Sequence, residues 1–270
     1  MTRMARGREL AETVVAVATE RRLTVLAAGL AYHAFNSLIP AALLVFLGAS
    51  VSQRFETLAF AVAAVTGVNP TRLTDVLQTL TREPAGQVRA AVIAAAVFVW
   101  SAAQLLSAMR RAFAALYGDD VRRSGSFLDA LTAVGLAFGT VAVAVLLVAV
   151  LGVSLSYVFT GWVWAVVSTV LLFGSLLAVF VPVYTILPRA DVGVREALPG
   201  TVLAAATWTL SGVLFRLYAA SAESVQLYGF VGGVLLFLTW LYAAGLFLLL
   251  GATLNAVVAD RVPPLEQSGG

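Results

Sequence analysis

Charged residues are spread so unevenly along this chain that the gaps between them define its architecture. Residues 130–188 contain none. A helical membrane span needs ~20 apolar residues at a rise of 1.5 Å each, so this run accommodates two passes. Thr160-Gly161-Trp162 sits near its middle, where a hairpin would have to turn. Four more uncharged stretches flank it, at 23–53, 90–109, 197–215 and 224–259. The pattern predicts spans near 24–51, 88–110, 129–159, 163–187, 197–219 and 230–258. This is an all-α polytopic membrane protein with six transmembrane helices.

Shorter patterns complete the map. Leu10, Val14, Val17 and Ala18 share one helical face over residues 8–22, with Arg8, Glu12, Arg21 and Arg22 elsewhere. Such an amphipathic segment belongs at a membrane interface. The apolar run after Arg22 is far longer than a secretory signal's apolar core. In the first external loop, Asn69-Pro70 reads as a helix cap followed by proline at the first helical position. Leu73, Val76, Leu77 and Leu80 then recur at helical spacing. Together with 55–66, this predicts interfacial or re-entrant helices on the outer side. The organisation is a cytoplasmic amphipathic N-terminal segment (1–23), a six-helix domain (24–259) and a flexible cytoplasmic tail (260–270).

Arginine placement predicts orientation, because loops rich in positive charge stay in the cytoplasm. All 17 basic residues are Arg. Twelve of them fall on the side of the N-terminus, the second and fourth loops and the tail, against five on the other. Both termini are therefore expected to be cytoplasmic, in the inner membrane. Composition agrees, with 61% hydrophobic residues, 11% charged and a mean hydropathy of +0.95.

Polar side chains inside spans are costly and are the candidates for function. The first span has Tyr32-His33-Ala34-Phe35-Asn36-Ser37 just before Pro40. The second offers Gln104, then Arg110 and Arg111 at its cytoplasmic end, where lipid phosphate is within reach. The last has Tyr228-Gly229-Phe230-Val231-Gly232-Gly233 and Trp240-Leu241-Tyr242. Tyr32, His33, Asn36, Gln104, Arg111 and Trp240 are the candidate linings of a cavity or substrate path. Pro40 and Pro182 each remove a backbone donor and are candidate kinks. Gly229, Gly232 and Gly233 are candidates for close packing or a hinge. The blander reading of all these groups is interhelical hydrogen bonding and packing.

Catalysis finds little support. There is one His, no Cys and no Lys, and the acids are scattered apart from Asp119-Asp120. No metal or other cofactor is expected. The expected partners are membrane lipids, with a second copy or an envelope protein as a further candidate, and no nucleic acid.

The order of several motifs resembles the YihY/BrkB family of inner-membrane proteins. The similarity lies in Leu30-Ala31-Tyr32 with Ser37-Leu38-Ile39-Pro40, in Trp100-Ser101 with Arg110-Arg111-Ala112-Phe113 and Tyr117, and in Tyr184 with Leu187-Pro188. It continues through Pro199-Gly200, Trp208, Phe215 and Tyr218 to Tyr228-Gly229, Trp240-Leu241-Tyr242 and Gly251-Ala252 with Leu254-Asn255. It covers residues 20–258. The chain departs at Thr253, where the resemblance implies Glu, and at His33, where it implies another aromatic. The family implies six helices in the cytoplasmic membrane. It also brings two inherited labels, a tRNA-processing ribonuclease and a virulence factor. The ligand inventory fits the first poorly. The expected function is a non-catalytic, transporter-like protein that accommodates a lipid or solute in envelope maintenance; the alternative is a structural scaffold without a substrate.

Overall fold

The computed structural model describes residues 3–51, 84–117, 161–188, 192–221 and 225–262. All regular structure in them is α-helical. The helices are α1 (Arg3–Glu20), α2 (Leu23–Val51), α3 (Pro84–Tyr117), α4 (Gly161–Ile186), α5 (Val194–Ser221) and α6 (Val225–Val258). Five of them, α2 to α6, contain segments long and apolar enough to cross a membrane. The chain is a polytopic α-helical membrane protein. The sixth expected span, 129–159, lies outside the described residues, as do the outer segments 55–66 and 69–84.

Observed helices start and stop close to the expected spans but overrun most of them. The second span was expected over 88–110, whereas α3 has 34 residues. That is ~50 Å of helix, against a hydrocarbon layer of ~30 Å. Only charge marked the expected end, at Arg110, and a helix is free to continue past the lipid boundary. The chain enters α4 through Gly161 at φ +61°, a left-handed conformation that favours glycine. This is where the hairpin turn was expected. Helices α2 and α4 run continuously through Pro40 and Pro182.

α2 packs on α3 and α6, α6 on α5, and α5 on α4. The main buried core is not at mid-height. It gathers where α2 and α5 begin and α3, α4 and α6 end, and this end is called the base. Leu23, Ala27, Phe113, Leu116, Tyr184, Ala197, Ala204, Leu249, Ala252 and Ala256 belong to it. Small residues dominate on α5 and α6, which lets their backbones approach closely.

α1 closes the base. The four positions expected to share its apolar face are the ones turned inward: Val17 is in the core, Ala18 packs against it, and Leu10 and Val14 are half-buried. Val15, off that face, is exposed. The face is covered by protein, since α1 packs on α6 and on α2. Two residues, Arg21 and Arg22, join α1 to α2. The Arg22 N–H donates to the Thr19 carbonyl at 3.1 Å, and its own carbonyl accepts from Val25 N–H at 2.9 Å. This sets Arg22 at φ 50°, which costs a non-glycine residue ~1–2 kcal/mol. Arg22→Gly should therefore raise stability by about 1 kcal/mol. Thermal unfolding in detergent reads this directly, and a lower midpoint would contradict it.

Candidate functional site

The expected site residues fall into two places. The first centres on the middle of α2. His33 is half-buried and meets the neighbouring Tyr32 ring edge-on at 5.5 Å. Tyr32 itself points outward, 62% exposed. Asn36 is half-buried, and beside it Phe35 faces Phe237 of α6 at 6.5 Å. Phe237 stacks on Trp240 at 6.0 Å. Phe35 and Trp240 thus meet through Phe237 at the α2–α6 seam, while His33 and Asn36 lie on the same stretch of α2. Ser37 is satisfied within its own helix, donating to the Ala34 carbonyl at 2.8 Å.

Gln104 and Arg111 lie elsewhere. Ala103 and Leu106, on either side of Gln104, pack with Leu187 just past the end of α4. Gln104 is half-buried and Arg111 exposed. The close-packing role considered for Gly233 is not seen, because a Cβ there would meet no atom within 4 Å. Gly232 is half-buried, and Gly229 lies in the first turns of α6.

Close helix approach occurs at the base instead. A Cβ on Gly200 would run into the Gly251 carbonyl, and one on Gly251 would meet the Tyr184 hydroxyl. With no side chain at either position, the α5 and α6 backbones touch. The Tyr184 hydroxyl reaches over the second helix and donates to the Leu248 carbonyl at 2.7 Å. One turn on, wholly buried Asn255 bridges the two helices. Its Oδ1 accepts from the Gly200 N–H at 2.6 Å, and its Nδ2 donates to the Ala197 carbonyl at 3.0 Å. Higher up, the Trp208 Nε1–H donates to the Ala244 carbonyl at 2.9 Å. Helical carbonyls have a second lone pair, so each can accept these extra bonds.

An ion pair completes the base. Asp260 at φ 54° turns the chain after α6, and the Arg261 N–H returns to the Ala256 carbonyl at 2.9 Å. Asp is among the few residues that tolerate this region. The turn brings the Arg261 guanidinium onto the Glu196 carboxylate, with Nε at 2.7 Å and Nη2 at 3.0 Å. Only the Nη2–Oε2 contact is a hydrogen bond; the Nε–Oε1 approach is an ion-pair contact. With both side chains partly wet, the pair's contribution is ~1 kcal/mol or less.

Aromatic rings connect the two places. Phe35, Phe237, Trp240, Trp208, Phe180, Tyr184, Phe113 and Tyr117 follow one another at centroid separations of 5.3 to 6.5 Å. Aromatic pairs favour this range. The first four rings are half-buried and the last four buried. The column starts beside Asn36 and ends on Tyr117, which lies within electrostatic reach of Glu196 and Arg261. Sequence reasoning picked out Trp240 but missed the column, since its members come from five helices with no common spacing.

Thr253, where the resemblance implied an acid, is wholly buried and donates to the Leu249 carbonyl of its own helix at 2.9 Å. Asp119 and Asp120 lie outside the described residues. Among the described residues, no three His, Cys, Asp or Glu side chains come together.

Comparison with known proteins gives these features a context. The ribonuclease-like protein YfkH of Bacillus subtilis is 30% identical over 198 residues, covering 68% of this chain and 70% of its own. The UPF0761 membrane protein MS0032 of Mannheimia succiniciproducens is 37% identical over 99 residues, 33% of this chain and 34% of its own. A UPF0761 membrane protein of Pseudoalteromonas translucida is 30% identical over 90 residues, again about a third of this chain. No solved structure matches. The family profile described as virulence factor BrkB matches residues 14–269, nearly the whole chain, and this chain belongs to that family.

Proposed function

We propose that this protein accommodates a lipid or small solute inside its helix bundle, without catalysis, in maintenance of the cell envelope. The observation that carries this reading is the half-sealed aromatic column. Its basal rings are buried, whereas Phe35, Phe237, Trp240 and Trp208 keep part of their surface uncovered, at the level of α2 that also carries His33 and Asn36. Flat apolar walls with a few polar groups at one end suit an amphiphilic guest. In the proposed setting the protein sits in the inner membrane with both termini cytoplasmic, as the arginine bias suggests. A nuclease reading has less support, since the chain has one His and no Cys and, among the described residues, no three His, Asp or Glu side chains come together.

A scaffold without a substrate is the second reading, favoured by the dense backbone contact of Gly200 and Gly251. Cysteine accessibility separates the two, and the chain has no native Cys. Single cysteines at Asn36, Gln104 and Trp240 would be probed with membrane-impermeant thiol reagents from each side. Labelling at Asn36 and Trp240 is expected. Protection of both, with loop cysteines reacting normally, would replace the proposal by the scaffold.

A further inference from the structure

Outside the bundle interior, α3 carries a charge arrangement that the aromatic column does not use. Residues 90–109 form an uncharged stretch of 20 residues, ~30 Å of helix, which equals the thickness of the hydrocarbon layer. Arg89 stands at one boundary of this stretch and Arg110-Arg111 at the other. The paired arginines are therefore set at the depth of lipid headgroups. Arg111 is exposed and Arg110 half-exposed. Neither α2 nor α3, which pack on each other, contains an acid. Among the described residues neither arginine has an ion-pair partner.

We propose that Arg110 and Arg111 form a headgroup site for an anionic phospholipid on the outer surface of α3. A guanidinium presents a planar fork of N–H donors that matches two phosphate oxygens. An arginine at this depth without a carboxylate partner finds its countercharge in a lipid phosphate. A zwitterionic lipid offers the same phosphate, but its ammonium cancels the net charge. The selectivity is therefore for headgroups such as phosphatidylglycerol. The site is independent of the interior reading, since it faces the bilayer and uses no residue of the aromatic column.

Native mass spectrometry of the full chain tests this after reconstitution in equal parts phosphatidylglycerol and phosphatidylethanolamine. The wild type should retain phosphatidylglycerol preferentially. The R110Q/R111Q variant should lose about tenfold of that preference, the scale of two arginines acting on anionic lipid at a membrane surface. R89Q, at the opposite boundary, should keep it. Equal retention of the two lipids by the wild type would overturn the proposal, whatever the variants do. So would an unchanged preference in a folded R110Q/R111Q protein. Loss of preference in R89Q to the same degree would also overturn it, because the attraction would then belong to net charge.

Discussion

Gly200→Ala is expected to prevent α5 and α6 from closing. The added methyl would lie against the Gly251 carbonyl and the Asn255 amide. The first of these is backbone, and the second is held by two hydrogen bonds. Overpacking in a well-packed core typically costs ~1–3 kcal/mol when side chains can shift. These groups cannot shift without separating the helices, so the loss should reach about 3 kcal/mol or more. In practice the variant should be recovered aggregated, or melt far below the wild type in detergent. Gly174→Ala and Gly233→Ala are the controls, because a Cβ at either meets no atom within 4 Å. Both should stay within ~1 kcal/mol of the wild type, the scale of helix propensity. A Gly200→Ala protein that melts like these two would show that the helices do not touch there.

The second large effect is expected at Asn255. Truncation to Ala removes an acceptor from the Gly200 N–H and a donor from the Ala197 carbonyl. The carbonyl keeps another partner, since the Thr201 hydroxyl donates to it at 2.8 Å. The Gly200 N–H is left buried without its 2.6 Å acceptor. Each buried hydrogen bond lost costs ~1 kcal/mol, and the emptied volume adds to that. Asn255→Ala should therefore lose about 3 kcal/mol. Asn255→Asp should fare no better, because a carboxylate can accept from Gly200 but repels the Ala197 carbonyl in a site with no solvent. The combined G200A/N255A variant should lose less than the sum, since removing the amide relieves part of the methyl's clash. Melting midpoints of the three proteins decide this. Strict additivity would mean that the two residues do not share one contact.

Much of the fold was legible because lipid imposes a simple rule on sequence. A run of about 20 uncharged residues reads as a span, and five of the expected six coincide with helices long and apolar enough to cross. The apolar face of α1 was legible too, down to the four residues that point inward. What covers that face was not legible, because helical periodicity says which side is apolar and nothing about the neighbour. The glycines show the same limit. Gly229, Gly232 and Gly233 drew attention by clustering, yet the backbone contact is made by Gly200 and Gly251, 51 positions apart. Only the resemblance of Pro199-Gly200 and Gly251-Ala252 to a family pattern marked them. Close approach needs one glycine on each of two helices, and pairings across the chain leave no local signal. Asn255 entered through the resemblance of Leu254-Asn255, and its partners are backbone atoms of Ala197 and Gly200, which no side-chain pattern announces. The meeting of Trp240 with Phe35 of α2, through Phe237, depended on helix paths, which charge and hydropathy do not encode.

Val17 in α1 and Ala256 in the last turn of α6 belong to one core. They stand 239 positions apart, so that core cannot be completed during synthesis. While the ribosome is still adding α6, the apolar face of α1 and the buried ends of α2 and α5 lack the α6 surface that covers them. Each nascent molecule therefore passes through a stage in which its spans are inserted but its foundation is open. A chain that stops a few residues early, before Asn255, would reach the membrane and remain at that stage. The last turn of α6 is therefore the piece whose absence would leave apolar surface open to the bilayer or to proteases.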